Sequence, residues 1–575
     1  MAKKLFLGNE AVARGLFEAG CRVVSSYPGT PSTEITEFAA TYEEMFCEWA
    51  PNEKVAMEVA AGAAIAGARS FCAMKHVGLN VAADPLFTAS YTGVNAGFVI
   101  GVADDPGMHS SQNEQDSRNY ARAAKIMMLE PADSAECLAF TKRAFALSEQ
   151  FDTPVLLRLT TRIAHSRSLA ETAERENGGL KEYVKNPAKY VMMPAMARPK
   201  HVRVEQRLID QAMLMETDEL NTVEYNSKKI GVIAAGICYQ YAKDALGDKA
   251  SYLKLGCVYP LPTERIKAFA AECETVYVIE ELDSFIETHC KAIGVDVIGK
   301  DLFPLYGEFS QALVAKLILG EELPALTLNE DIPARPPVLC AGCPHRGLFY
   351  ALKREKAIVS GDIGCYTLGT LAPLEAMDIC ICMGASVSGL HGINKANPEN
   401  EKRSVAVIGD STFMHSGITG LVNIAYNKSN STVIILDNSI TGMTGHQENP
   451  TTGKNIKGEP AAAVDLEALA RAVGIKRVKV IDPYDLKETQ DTIHEELQAE
   501  EPSVIISRRP CALLKYVERK PALKINREKC TGCRACMRIG CPAISIKDKK
   551  AEIDFTQCVG CEVCVQLCRF NAIEH

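Results

Sequence analysis

No run of ~18 apolar residues occurs in the chain, so the sequence offers no helix suited to crossing a bilayer. The opening MAKKLFLGNEAVARG turns polar too soon after its lysines to read as a secretory leader. An excess of positive charge is also missing. Lys and Arg number 63 against 72 Asp and Glu, a formal net charge of −9. Nucleic-acid binding by bulk charge is thereby excluded, because it needs cationic side chains that displace counterions. A disulfide scaffold is excluded as well, since such scaffolds are small and secreted. What the chain does have is 22 cysteines, eight of them between Cys530 and Cys568. Dense CxxC spacing in a chain of this type reads as metal binding in a reducing, cytoplasmic compartment.

At ~150 residues per domain, 575 residues make about four domains. Hydrophobic residues at 47% and charged residues at 23% are ordinary for globular protein, so disorder is excluded. Residues 1–175 alternate short apolar runs with Gly-rich turns and helical patterns. Cys21–Tyr27 reads as a strand, with Pro28-Gly29-Thr30-Pro31 as its turn and Ser32 as the cap of a following helix. Thr153–Thr160 reads as a buried strand. Residues 176–228 are polar, without a clear period, and read as a linker. A second α/β domain is expected over 229–325, followed by a Pro-rich joint at 321–338. A third is expected over 335–515, with Ser404–Ile408 and Thr432–Leu436 as its best strands. Residues 521–575 form a small α+β module with a hairpin about Asp548–Lys550. Repeated strand–helix units imply parallel sheets covered on both faces. The fold class is thus three doubly wound α/β domains with a small C-terminal module. In such sheets ligands bind at the carboxyl ends of strands.

The tail reads Cys530-x2-Cys533-x2-Cys536-x4-Cys541 and then Cys558-x2-Cys561-x2-Cys564-x3-Cys568. It resembles a bacterial two-cluster ferredoxin. That resemblance gives Cys530, Cys533, Cys536 and Cys568 to one [4Fe-4S] cluster, and Cys558, Cys561, Cys564 and Cys541 to the second. Two departures stand out: x4 where x3 is usual, and Arg569 where proline usually follows the last cysteine. The competing reading is a pair of four-thiolate zinc sites.

Gly409-Asp410-Ser411, followed by Asp437-Asn438-Ser439-Ile440, resembles the thiamine-diphosphate motif. Ser411 stands for its third glycine and Asp437 for its first asparagine. The resemblance implies Mg²⁺ held by Asp410, the Asn438 side chain and the Ile440 carbonyl, all hard oxygen ligands. The bland alternative is that Asp410 and Asn438 merely close turns. Thiamine-diphosphate enzymes also place a glutamate from another α/β domain on the aminopyrimidine. In Asn52-Glu-Lys-Val-Ala-Met-Glu58-Val-Ala-Ala-Gly-Ala, Glu58 lies among apolar residues, where a charge needs a reason. Glu53 competes from a more polar stretch.

Taken together these pieces resemble the 2-oxoacid:ferredoxin oxidoreductases, and among them the alpha-subunit family of the indolepyruvate enzymes. Further marks are Tyr27–Glu34, Lys75-His-Val-Gly-Leu-Asn80, Ser111–Arg118, Cys340-Ala-Gly-Cys343-Pro-His-Arg346 and Gly361-Asp-Ile-Gly-Cys365. The resemblance implies oxidative decarboxylation of an aryl-2-oxoacid, with ferredoxin as electron acceptor and coenzyme A as acyl acceptor. It also implies a separate small beta subunit, cofactor contact at Thr30 and substrate-carboxylate binding by Arg118. Cys340, Cys343, Cys365 and Cys511 correspond to cysteines that hold a further cluster in some relatives. A non-oxidative thiamine lyase and a pure electron-transfer subunit are the other readings. Neither uses a thiamine site and clusters together for redox chemistry.

Overall fold

The computed structural model describes residues 2–324 and 328–575, so Met1 and the middle of the Pro-rich joint lie outside the described residues. The chain divides into two units, residues 1–329 and 330–575. Among the described residues no helix is long and apolar enough to cross a membrane.

The first unit is built on a seven-stranded sheet. Its order is Cys257–Tyr259, Met128–Leu129, Val155–Thr160, Phe98–Asp104, Ser70–Lys75, Val23–Ser26 and Phe46–Trp49. All neighbours are parallel except the Cys257–Tyr259 edge. From Val23–Ser26 the chain steps outward to Phe46–Trp49, then returns to Ser70–Lys75 on the other side. That reversal opens a crevice at the carboxyl ends of two adjacent strands, where doubly wound sheets take ligands. A second sheet of four strands follows, in the order Thr275–Ile279, Ile230–Ala235, Ser251–Leu255 and Thr222–Glu224. Leu253, Leu255, Ile233 and Val278 bury in one core with Ile100, Val102 and Leu156 of the first sheet.

Two local expectations change. The stretch 176–228 is not irregular throughout, because Pro194–Met215 is a 22-residue helix. Its buried residues are Val204, Arg207, Gln211 and Met215. This narrow stripe has two polar members, so hydropathy alone does not reveal its period. Ser32 precedes the helix Thr33–Ala39, yet its side chain makes no capping bond. Its hydroxyl donates to the Gly29 carbonyl at 2.8 Å and closes the turn instead.

The second unit repeats the plan. Six parallel strands run in the order Ile379–Cys380, Ile358–Gly361, Ser404–Gly409, Thr432–Asp437, Ser503–Arg508 and Arg477–Ile481. Alternate residues feed opposite faces: Val405, Val407, Ile434 and Ile505 enter one core, and Ala406, Ile408, Val433 and Val504 the other. Here the reversal lies between Ile358–Gly361 and Ser404–Gly409, so Asp362 and Asp410 follow the two strands at the crevice. In the tail, Ile544–Lys547 pairs with Lys550–Ile553 across Asp548-Lys549, both with positive φ, as a two-residue hairpin requires. The tail shares a core with the α/β domain, in which Leu486 packs with Leu523, Ile539, Val563 and Ile573.

Candidate active site

In the first unit the turn after Val23–Ser26 and the start of the helix after Ser70–Lys75 close on each other. A Cβ on Gly29 would lie 3.4 Å from Lys75 Cγ. Lys75 Nζ donates to the Ser110 carbonyl at 3.0 Å, and Ser110 Oγ donates to the Thr30 carbonyl at 3.2 Å. Asp105 accepts from Ser110 N at 2.8 Å and from Ser111 Oγ at 2.7 Å. Burial pulls the Lys75 ammonium below its usual range, against the fields of Asp105 and Glu53.

Glu53 opens the helix Glu53–Ile65, which Asn52 caps by accepting from Val55 N at 2.9 Å. It is 4% exposed. Its carboxylate lies against the next crevice element, because a Cβ on Gly78 would meet Glu53 Oε1 at 2.6 Å. Only a glycine there leaves the carboxylate room. Glu58 is placed otherwise: it is exposed and ion-paired with Lys54 on the solvent face. The expectation that Glu58 is the inward acid is corrected to Glu53. The apolar neighbours of Glu58 are small residues that line the helix on most sides.

Arg118 is likewise placed differently from expectation. It is 1% exposed. Nε donates to Asp116 Oδ1 at 2.9 Å, Nη1 to Glu280 at 2.5 Å, and Nη2 to the carbonyls of Glu281 and Asp283 at 3.0 and 3.1 Å. All three guanidinium nitrogens are thus engaged with the chain's own acceptors. The arginine joins the loop before the helix Arg118–Ala124 to the second sheet.

In the second unit Asp410 is 2% exposed and starts the turn after Ser404–Gly409. It accepts from Ser411 N at 2.6 Å and Ser439 N at 3.0 Å. Burial, with nearby Asp437, pushes its carboxyl up to about 8. The charge of a divalent cation would offset that burial, so the chemistry of this carboxylate suits one. Asn438 follows the next strand; its Oδ1 accepts from Ile440 N at 3.2 Å, and its amide lies 3.5 Å from His345 Nε2. Asp362, which sequence reading passed over, ends the other crevice strand. It is fully buried and collects the N–H groups of Ile363, Gly384 and Ser386 at 2.8–3.0 Å. Its place in Gly361-Asp-Ile-Gly-Cys365 was the available signal.

The cysteines fall into three neighbourhoods, none of which, among the described residues, is drawn together tightly enough to hold a metal ion as it stands. Cys541, Cys558, Cys561 and Cys564 line one apolar cavity of about 30 Å³, together with Gly342, Cys343 and Arg346. Cys530, Cys533 and Cys568 are the other thiols whose charges act on Cys536. Each set draws its odd member from the opposite run. Cys340, Cys365 and Cys511 also lie within mutual electrostatic reach, and Cys343 senses Cys340 and Cys511. Burial pushes the Cys343 thiol up to about 12. Cys511 N donates to the Asn438 carbonyl at 2.9 Å, so this set borders the Asp410 turn. Arg346 ties the sets together: Nε donates to the Cys340 carbonyl at 2.9 Å, and Nη1 to the carbonyls of Ile539 and Gly540, just before Cys541.

Comparison with known proteins matches the domains that carry these residues. The family described as pyruvate flavodoxin/ferredoxin oxidoreductase, thiamine diphosphate-binding, matches residues 14–233. The thiamine pyrophosphate enzyme C-terminal binding domain matches 362–507, and a 4Fe-4S dicluster domain matches 522–569. Indolepyruvate oxidoreductase subunit IorA from Pyrococcus horikoshii is 41% identical, over 100% of this chain and 97% of its own length. The Archaeoglobus fulgidus protein of the same name gives the same three figures. A solved 2-oxoglutarate:ferredoxin oxidoreductase from Magnetococcus marinus covers 55% of this chain and 65% of its own, at 18% identity and TM-score 0.47. The chain thus carries thiamine-diphosphate and iron–sulfur domains of an oxidoreductase, and it belongs to the indolepyruvate oxidoreductase alpha-subunit family of the 2-oxoacid:ferredoxin oxidoreductases.

Proposed function

We propose that the chain is the thiamine-diphosphate- and cluster-bearing subunit of a cytoplasmic enzyme acting on aryl-2-oxoacids such as indolepyruvate. The overall reaction joins the 2-oxoacid, coenzyme A and two oxidised ferredoxins. It yields an aryl-acyl-CoA, CO₂, two reduced ferredoxins and a proton. A small beta subunit completes the enzyme.

Thiamine diphosphate supplies the electron sink that permits loss of CO₂ from a 2-oxoacid. Glu53 is the acid that would hydrogen-bond the aminopyrimidine, held at a helix N-terminus where the peptide dipoles favour its charge. Asp410, the Asn438 side chain and the Ile440 carbonyl would hold Mg²⁺ and through it the diphosphate. Thr30 lies in the turn that borders the same crevice as Glu53. The two tail sets of cysteines would hold one [4Fe-4S] cluster each, and Cys340, Cys343, Cys365 and Cys511 a third. The observation that carries the reading is the bond between Cys511 N and the Asn438 carbonyl. It supports reading the Cys511 thiol set, suited to iron, as a neighbour of the turn suited to the diphosphate metal. A lyase that only releases CO₂ gains nothing from that adjacency.

The test is anaerobic turnover of the complex of both subunits with indolepyruvate. Acyl-CoA formation detected by mass spectrometry, with two ferredoxins reduced per CO₂, is the expected result. Release of an aldehyde without ferredoxin reduction would establish the lyase instead.

A further inference from the structure

Two open grooves border the tail module, and the one beside Cys561 carries the acids Asp482, Asp485, Glu518 and Glu562. The other, of about 960 Å³, runs beside Cys533, lined among others by Lys353, Arg354, Arg538, Arg569 and Phe570. Cys533, Arg354, Arg538 and Arg569 are exposed, and Phe570 is 47% exposed. The second thiol set faces inward, against Gly342 and Cys343. Cys533 is the exposed member of the eight tail cysteines, and the groove borders it.

Its charge is the reverse of the chain's. Glu375 is the single acid in the lining, and Lys353 binds it at 2.8 Å. Arg354, Arg538 and Arg569 make no ion pair with a carboxylate among the described residues. Three uncompensated guanidiniums in one groove of a protein carrying a net −9 form a local inversion of field. Two of the three arise at the departures from ferredoxin spacing. Arg538 lies in the lengthened Cys536-x4-Cys541 run, and Arg569 takes the place of the usual proline after Cys568. Neither side chain packs the module. Exposed Phe570 beside arginines gives the mixed aromatic and cationic composition that protein interfaces favour.

We infer that this groove is the docking surface for a small acidic electron-transfer protein. The inference rests on the proposed redox function and adds the place of exit. Arginines at the rim attract a carboxylate-rich carrier and orient it, so that its redox centre approaches the exposed Cys533 side. Each encounter oxidises the enzyme by one electron and reduces the carrier by one; two encounters complete a turnover.

The experiment uses the complete enzyme with its partner subunit and a purified acidic two-cluster bacterial ferredoxin. Calorimetric titration of the oxidised proteins reads binding without turnover. Arg538→Glu and Arg569→Glu should each weaken the dissociation constant by roughly tenfold at low salt, the scale of a reversed interface charge. Wild-type affinity should fall with added salt, and the variants should respond less. In turnover the rise in KM should appear with ferredoxin and not with methyl viologen, which is cationic. Arg354→Glu lies on the helix His345–Glu355, away from both cysteine runs, and should weaken binding in the same sense. It decides the matter if either tail variant loses iron. An unchanged dissociation constant overturns the inference. Loss of the beta subunit, or of coenzyme A affinity, overturns it too by assigning the groove to another occupant. Ferredoxin that binds through the groove but is never reduced with aryl-2-oxoacids would sink the proposed function and leave the docking surface standing.

Discussion

Glu53 and Glu58 are five positions apart on one helix, so they point ~140° apart around its axis. Glu53 faces Gly78 and Lys75; Glu58 faces water and Lys54. Glu53→Gln should retain thiamine diphosphate and lose ~10²–10⁴-fold in rate, the usual cost of a lost acid–base group. Glu58→Gln should turn over close to wild type. Steady-state ferredoxin reduction at saturating cofactor reads both. Sequence could nominate the two acids but not choose between them, because Ala56, Ala60, Ala61, Ala63 and Ala64 leave the helix without a marked polar face. The places of Asp410 and Asn438 in the fold were legible for the opposite reason: a short apolar strand fixes which residues come first at its carboxyl end. Arg118 misled because its motif is acidic and amidic, whatever the arginine binds. Removing it should act on stability. Arg118→Ala strands Asp116 and Glu280 in the interior, at a cost of about 3–5 kcal/mol. A thermal unfolding midpoint that stays at the wild-type value would refute the structural role.

Elements were read well where composition is one-sided. The continuous apolar strands Val155–Thr160, Ser404–Gly409 and Thr432–Asp437 are buried on both faces, and their sequences say so. The helix Pro194–Met215 was not legible, since it carries Pro199 and buries Arg207 and Gln211. The loop after the strand Thr275–Ile279 holds a second consequence of burial. Burial pushes the Glu281 carboxyl up to about 7, although Phe309 N donates to it at 2.8 Å. The folded chain therefore keeps a proton there that the unfolded chain releases above ~4.5. Its stabilising contribution is full below ~4.5 and is lost as pH rises through about 7. Glu281→Gln should flatten this part of the stability profile, by a few kcal/mol at most. Unfolding midpoints measured across that window check the sign; a profile as steep as wild type would count against it.

At the scale of the whole chain, iron is the simplest measure. Three cubanes need about twelve irons per chain and two need about eight. The double variant Cys340→Ser/Cys365→Ser should lose about four irons and keep the two tail clusters, as read by iron assay and electron paramagnetic resonance. A variant with full iron would make these thiols plain packing residues. Deleting the tail is a poorer test. It would uncover Leu486 and remove Gln566, which donates to the Tyr484 carbonyl at 2.6 Å and accepts from Leu486 N at 3.0 Å.

That joint has a kinetic meaning. The Cys340–Cys343 loop is held to the tail by Arg346 and by Val559, pressed so close to Gly342 that no Cβ would fit, while Tyr484, whose carbonyl accepts from Gln566 of the tail, donates its Oη to the Gly342 carbonyl. A module fastened at these points does not swing as an arm between donor and acceptor. Delivery of charge in this unit is then paced by arrivals from solution. Viscosity and carrier concentration should govern its rate, with no slow swing of this joint between donor and acceptor.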